Sequence, residues 1–298
     1  MKILLLGKNG QVGWELQRAL APLGELVALD FDSPAPLTAD FSKPESLAAT
    51  VRAVAPQIIV NAAAHTAVDK AESEPEFART LNASAPGVLA REAAALGAWL
   101  MHYSTDYVFD GSGSTPWRED APTGPLSVYG ATKLEGEEAI RASGCRHLIF
   151  RTSWVYAARG GNFAKTMLKL AQERDKLTVI ADQVGAPTGA DLLADLTAHA
   201  LRAALAQPEL AGTYHAVAQG ATSWHGYARH VIEFARAAGQ AIKVAPEAIE
   251  AVATSAFPTP AKRPHNSRLD TSKLRSAFGL TLPPWQAGVE RMLTEVFF

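Results

Sequence analysis

Residues 2–20 read "KILLLGKNGQVGWELQRAL". The run from Ile3 to Leu6 is apolar without a break, the pattern of a strand buried on both faces. Beyond Val12 the apolar residues take helical spacing, with Leu16, Leu20 and Leu23 on one face of a helix expected over 12–24. Gly7, Gly10 and Gly13 stand between the two patterns. Glycine admits positive φ and lets the backbone come close to a ligand. The helix start beyond it offers free N–H groups and a positive dipole to an anion. By themselves three glycines could serve only a tight chain reversal. A dinucleotide site also requires an acidic residue about 20 positions on, at the end of the second strand. Asp30 closes "ELVALD" at that place. Its carboxylate can accept from a ribose hydroxyl and would repel a 2′-phosphate. That favours NAD(H), with NADP(H) admissible where a nearby cation compensates. Asp40 and Phe41 follow where a third strand should end, a natural place to hold adenine.

Outward from this unit, strands and helices alternate. "SKPESLAATVRAVAP" reads as a second helix, with Ser42 a plausible N-cap and Pro44 in the first turn. "QIIVNAA", "WLMHYST" and "RHLIFRT" read as further strands. Such alternation implies parallel strands joined by crossover helices, an α/β doubly wound sheet. After about residue 155 the pattern loosens. A helix at "FAKTMLKLAQER" and a strand at "LTVIAD" lead into "QVGAPTG", a turn-rich connector. "ADLLADLTAHALRAAL" is amphipathic and could return to the first sheet. "FPTPAKRPHNSRLD" has three prolines and no apolar period, so it is a linker or an ordered lid.

Composition limits the function classes. The 298 residues are 48% hydrophobic and 19% charged, with a formal net charge of −2, so nucleic acid is a poor first guess. Cys145 is the one cysteine, which rules out an intrachain disulfide and fits a reducing compartment. The N-terminal apolar run is too short for a signal-peptide core, and no stretch has the length of a membrane span. A cytoplasmic protein is expected.

Two further stretches carry chemistry. In "VYGATKLEGE", residues 128–137, Tyr129 and Lys133 lie four apart and so share one helix face. An ammonium near a phenol stabilises phenolate and should lower its pKa. A phenol so placed can protonate a carbonyl oxygen as hydride reaches its carbon, while the lysine also reaches the nicotinamide ribose. A surface Tyr–Lys pair is the commoner meaning of this spacing alone. In "HYSTDYVFDG", residues 102–111, Ser104, Thr105 and Asp106 should lie at the carboxyl end of an apolar strand, where open parallel sheets bind ligands. A hydroxyl there can bond a substrate carbonyl, or merely cap the strand.

In order and spacing these motifs resemble the extended short-chain dehydrogenase/reductase superfamily. The stretches "GKNGQVGWELQRAL", "VNAAAHTAVDKAESEPEFA", "FRTSWVY", "NFAKTMLKLA", "GAPTGADLLAD" and "PTPAKRPHNSRLD" are similar to the dTDP-4-dehydrorhamnose reductase family within it. The resemblance runs from the first strand to "GVERMLTEVFF". It implies a Rossmann-type NAD(P)-binding domain over 1–155, completed by a helix around 189–206, and a smaller C-terminal α/β substrate domain over 156–298. It implies reduction by NADH or NADPH of the C4 ketone of dTDP-4-dehydro-6-deoxy-L-mannose, the last step of dTDP-L-rhamnose synthesis, which supplies cell-wall polysaccharide or lipopolysaccharide.

The family pattern also implies roles for particular residues. Gly10, Gln11 and Val12 hold pyrophosphate, Asp30 the adenosine ribose, and Asp40 and Phe41 adenine. Ala63, Ala64 and His65 border the nicotinamide side. Thr105 binds the carbonyl, Tyr129 is the acid, and Lys133 is its electrostatic partner. Asp106 and Trp154 contact the sugar. Lys262, Arg263 and Arg268 stand where a diphosphate needs cations. A structural magnesium ion at a homodimer interface would take Glu15, Asp191 and Glu295, although aspartate stands at 191 where the family leads one to expect glutamate. Two rivals remain on the same scaffold: another sugar-nucleotide reductase or epimerase, and a non-catalytic regulatory subunit like that of eukaryotic methionine adenosyltransferase.

Overall fold

The computed structural model describes residues 1–34 and 36–298. Strands β1 (Lys2–Leu6), β2 (Glu25–Leu29), β3 (Ile58–Asn61), β4 (Trp99–Thr105) and β5 (Arg146–Thr152) form the central sheet. A sixth strand, Gly212–His215, joins its edge beside β5. It follows the short strands β6 (Val155–Tyr156), β7 (Leu177–Ile180), β8 (Val184–Gly185) and β9 (Thr188–Gly189), and is therefore β10. The order is β10-β5-β4-β3-β1-β2, with every pair parallel. From β1 the chain moves first to β2 on one side and then to β3 on the other. The crevice at that reversal is where doubly wound sheets bind ligands.

Alternation along β1 builds two layers at once. Ile3 and Leu5 pack with Leu16 and Leu20 of α1 (Gln11–Leu20) and with Leu193, Leu196 and Leu201 of the long helix Ala190–Ala206. Leu4 and Leu6 face Leu47 and Val51 of α2 (Pro44–Val54), Leu89 of a helix over Ala85–Leu96, and Ile140 of a helix over Val128–Ala142. In chain order these last are α5 and α6, since α3 (Val68–Ser73) and α4 (Pro75–Arg79) precede them. With α7 (Phe163–Glu173) next, Ala190–Ala206 is α8, and it does return to the first sheet.

The rest of the chain has its own core. Tyr156, Leu168 of α7, Tyr227 and Val231 of α9 (Trp224–Ala237), and Val289 and Leu293 of Trp285–Phe297 pack together. A parallel ladder joins β7 to Ile249–Val252, which is β12, and β8 pairs antiparallel with β11 (Thr222–Ser223). β6 pairs parallel with β9. After α10 (Ser272–Phe278), α11 (Trp285–Phe297) ends the chain. No helix among the described residues is long and apolar enough to cross a membrane.

Four local expectations change. No strand ends at Asp40 and Phe41: the described residues between β2 and α2 are turns and irregular chain, and β3 comes only after α2. The first helix ends at Leu20, and Ala21–Leu23 tighten into a 3₁₀ turn around Pro22. Ser42 is not a cap: α2 starts after Lys43 without a side-chain cap, and the Ser42 hydroxyl donates instead to Asp40 at 2.6 Å. "QVGAPTG" is not only turn, because it supplies β8 and β9. "FPTPAKRPHNSRLD" is an ordered strap. Asn266 donates to the carbonyls of Ser112 and Thr115, and Trp117 bonds the backbone of Asn266.

Candidate active site

A cavity of about 810 Å³ opens at the crevice between β1 and β3. Gly7, Gly10, Gln11, Val12, Asp30, Asp40, Phe41, Ala63, Ala64, Thr105, Asp106, Tyr129, Lys133 and Trp154 all line it. Residues separated by up to half the chain thus meet in one volume.

Its nucleotide end is built by the first turn. Gly7 has φ +87°, and a Cβ there would come within 2.7 Å of the Ala63 nitrogen. A Cβ on Gly13 would strike the Gly7 carbonyl, so the helix could not seat against the loop. No side chain caps the start of α1, which leaves its first N–H groups for a ligand. Asp30 is tied to the loop: Oδ2 accepts from the Asn9 N–H and Oδ1 from the Phe31 N–H, each at 2.8 Å. Asp30 also lines the cavity. Hydrogen bonding by Ser42, aided by Lys43, holds the Asp40 carboxyl below the usual range. This cradle fits a dinucleotide.

The chemical end is built by β4 and α6. Ser127 caps α6 by accepting from the Gly130 N–H at 3.2 Å, and this sets the helix start that aims Tyr129 and Lys133 inward. Thr105 donates to Asp106 Oδ1 at 3.1 Å and accepts from the Tyr107 N–H at 3.2 Å. Burial pushes the Tyr129 phenol up to about 12, partly offset by the neighbouring Thr105 hydroxyl. The expected lowering by Lys133 is absent in this geometry. The amine instead donates to the Tyr103 carbonyl at 2.6 Å and lies 3.2 Å from His102 Nε2. Burial brings Lys133 down to about 8. Burial likewise raises the Asp106 carboxyl to about 6, and its Oδ2 has no hydrogen-bond partner although Ser267 lies beside it. Ser104 donates to the fully buried Glu137 at 2.5 Å. Burial opposes that carboxylate, but Arg151, at 2.9 and 2.7 Å, helps to hold it ionised below its usual range.

The wall contributed by Trp154 and Trp224 is aromatic. Trp154 has φ +50°, a strained conformation for a residue with a side chain, and stacks on Trp224 with centroids 3.6 Å apart. Trp224 donates to Gln183 at 3.1 Å, so the later half of the chain fixes this wall. Trp224 has no spacing signal in the sequence. His102 does have one, as a polar residue inside an apolar strand. A π-helical turn at Thr80–Ser84 places Asn82 to bond both backbone groups of His65, at 2.9 and 3.1 Å.

Other expected residues fall outside the cavity. His65 is buried behind it, edge-on to Phe77. Arg263 forms a bidentate pair with Asp69, at 3.0 and 2.7 Å, while Arg268 bonds Asn266 and Lys262 is exposed. Glu15, Asp191 and Glu295 do gather. Burial and then the two other carboxylates raise Glu15, against Arg18. Arg291 sits 3.7 Å from Asp191 and 3.3 Å from Glu295. Among the described residues no group of three or more His, Cys, Asp or Glu side chains is arranged to hold a metal ion. Arg18 and Arg291 answer the charge of these carboxylates.

A hydroxyl, a phenol and an amine at one end of a dinucleotide crevice are the working parts of short-chain dehydrogenases, and fold and site together define a Rossmann-type reductase of that class. Known sequences narrow this further. The family model described as "RmlD substrate binding domain" matches residues 1–298. The dTDP-4-dehydrorhamnose reductase of Shigella flexneri is 62% identical over 297 residues, covering 100% of this chain and 98% of that one. The crystal structure of the Clostridium acetobutylicum dTDP-4-dehydrorhamnose reductase superposes with a TM-score of 0.89 at 34% identity, covering all of both chains. That of the Bacillus anthracis enzyme, in complex with NADP, gives 0.87 at 33% identity over 99% of each. The chain belongs to the dTDP-4-dehydrorhamnose reductase family.

Proposed function

We propose that this chain reduces the C4 ketone of dTDP-4-dehydro-6-deoxy-L-mannose to give dTDP-L-rhamnose, using NADH or NADPH. The observation that carries the reading is the convergence of Thr105, Asp106, Tyr129 and Lys133 on the cavity that the glycine turn also lines. A bound reduced nicotinamide supplies the hydride. Gly10, Gln11 and Val12 hold the pyrophosphate and Asp30 the adenosine ribose. Thr105 and Tyr129 receive the ketone oxygen between them, and Tyr129 gives it a proton as the alkoxide forms. Burial keeps the phenol protonated at neutral pH, so the acid is ready before each turnover. The Trp154–Trp224 stack offers an apolar face to the deoxysugar ring and excludes water.

In this reading the sheet with α1, α2, α5, α6, α8 and β10 is the cofactor domain, and the α7–α9–α11 core is the substrate domain. Arg263 serves the diphosphate by exchanging Asp69 for it. The reading includes a homodimer and a cytoplasmic location; sedimentation with and without a chelator checks the former.

The test is oxidation of reduced nicotinamide by the purified protein with the authentic dTDP-ketosugar, with the product identified by mass and proton spectra. Both NADH and NADPH should support turnover at comparable rates. Cofactor binding without ketosugar-dependent oxidation would remove the reading in favour of a binding role.

A further inference from the structure

His102 lies on β4 beneath the site, fully buried. Its two ring nitrogens have fixed neighbours. Nδ1 is 3.0 Å from Asn61 Nδ2, and Nε2 is 3.2 Å from Lys133 Nζ. Asn61 cannot turn its amide freely, because its Oδ1 accepts from the Ala63 N–H at 3.0 Å. The amide nitrogen therefore faces the ring, and an amide nitrogen only donates. So Nδ1 must accept, and the network assigns the single ring proton to Nε2. That N–H points at Lys133 Nζ. An ammonium there would set N–H against N–H, whereas a neutral amine can accept.

We propose that His102 is a positioning residue that controls when Lys133 carries its proton, by presenting an N–H donor to the amine from a ring whose tautomer Asn61 fixes. The proposal rests on the ketoreductase reading above.

The surroundings agree. Burial, and then the charge of Lys133, hold the ring neutral. Glu137, one turn along α6, favours the ammonium, but its oxygens are already shared among Ser104, Arg151 and Arg141. Tyr129 stands one turn before Lys133 on α6. Asp106 lies beyond the end of β4, and β3 contributes only the uncharged Asn61. The amine is thus poised near neutral pH, where a change in one hydrogen bond decides its charge. The chain Ala63–Asn61–His102–Lys133 also begins at the cavity wall, since Ala63 lines the cavity and abuts Gly7.

In the ketoreductase reading Lys133 holds the nicotinamide ribose as an ammonium, so activity falls as pH rises through the Lys133 pKa. His102→Gln can turn a carbonyl to an ammonium, so its alkaline limb should move up. Asn61→Asp should do the same without touching Lys133. A carboxylate would accept from both the Ala63 N–H and Nδ1–H, which frees Nε2 to accept from the ammonium. The shift expected is about one to two pH units, the size of gaining one hydrogen bond to a charged group.

Three measurements decide it: pH profiles of kcat for wild type and both variants, cofactor affinity for each, and the ¹⁵N shifts of His102 in the wild-type protein. A neutral Nε2–H ring, with both limbs moved up, supports the proposal. Lowered kcat with unmoved limbs would show a merely structural role and overturn it. An Nδ1–H tautomer or an imidazolium at neutral pH would also overturn it, and that readout needs no activity. Inactivity of the wild type with the ketosugar would instead count against the ketoreductase reading, while the tautomer still tests the proton arrangement.

Discussion

Asp106→Asn should make the protein more stable at neutral pH while weakening its site. Asp106 is 1% exposed, and its carboxyl is raised by burial from 3.8 to about 6. A rise from 3.8 to about 6 corresponds to roughly 3 kcal/mol, at about 1.36 kcal/mol per pH unit. The sign follows from linkage. The folded state binds this proton more tightly than the unfolded one, so the favourable contribution is complete below about 3.8. It is lost as pH rises toward about 6, and above that the fold carries a disfavoured anion. Asparagine resembles the protonated acid and keeps an oxygen for the Thr105 hydroxyl, now at 3.1 Å. Its advantage should therefore be about 3 kcal/mol at about pH 8 and should vanish near pH 4. In a chain of this size that is a rise in Tm of roughly 5–10 °C at the higher pH. Other carboxylates, such as Glu137, are shifted the opposite way, so the quantity to follow is the difference between variant and wild type. Urea unfolding from about pH 4 to pH 8 measures it. A variant no more stable than wild type at pH 8, or an advantage that does not shrink with acid, would refute the argument that burial strains this carboxylate. Ketosugar KM should rise in the same variant, because the charged acceptor facing the sugar is gone.

Tyr129→Phe should lower kcat by about 10²–10⁴-fold and leave cofactor Kd nearly unchanged, as the ring is kept and only the proton is lost; a single-turnover measurement substitutes if chemistry does not limit turnover. Arg263→Ala should raise KM for the dTDP-sugar more than for the cofactor, by the equivalent of roughly 1.5–3 kcal/mol, and an unchanged KM in a folded variant would take Arg263 out of the site. Glu137→Gln should cost about 3–5 kcal/mol in denaturant unfolding, since it leaves the buried Arg151 guanidinium without its counter-charge beneath Ser104. A loss below about 1 kcal/mol would show that the pair is solvated in practice.

The sequence alone determined strands β1 to β5 of the layered sheet, because burial makes them mostly apolar and the helices between them amphipathic, whereas β10, "GTYH", has no such run. "WLMHYST" and "RHLIFRT" coincide with β4 and β5 residue for residue. It also placed the glycine turn, Asp30, Thr105, Tyr129 and Lys133 at strand ends or on one helix face, and all of them line the cavity. Contacts between distant segments were decided only in three dimensions. Nothing near Trp224 announces that it stacks on Trp154, because that contact depends on how α9 docks across the cavity. Arg263 reads as a free cation, yet Asp69, 194 residues away, already holds it. The expected lowering of the Tyr129 phenol failed for the same reason. Spacing puts the amine on the right face, but β4 lies closer, and there the Tyr103 carbonyl and the His102 ring engage it. Charge and protonation depend on burial and on partners brought from elsewhere in the chain, and neither exists until the sheet has closed over them.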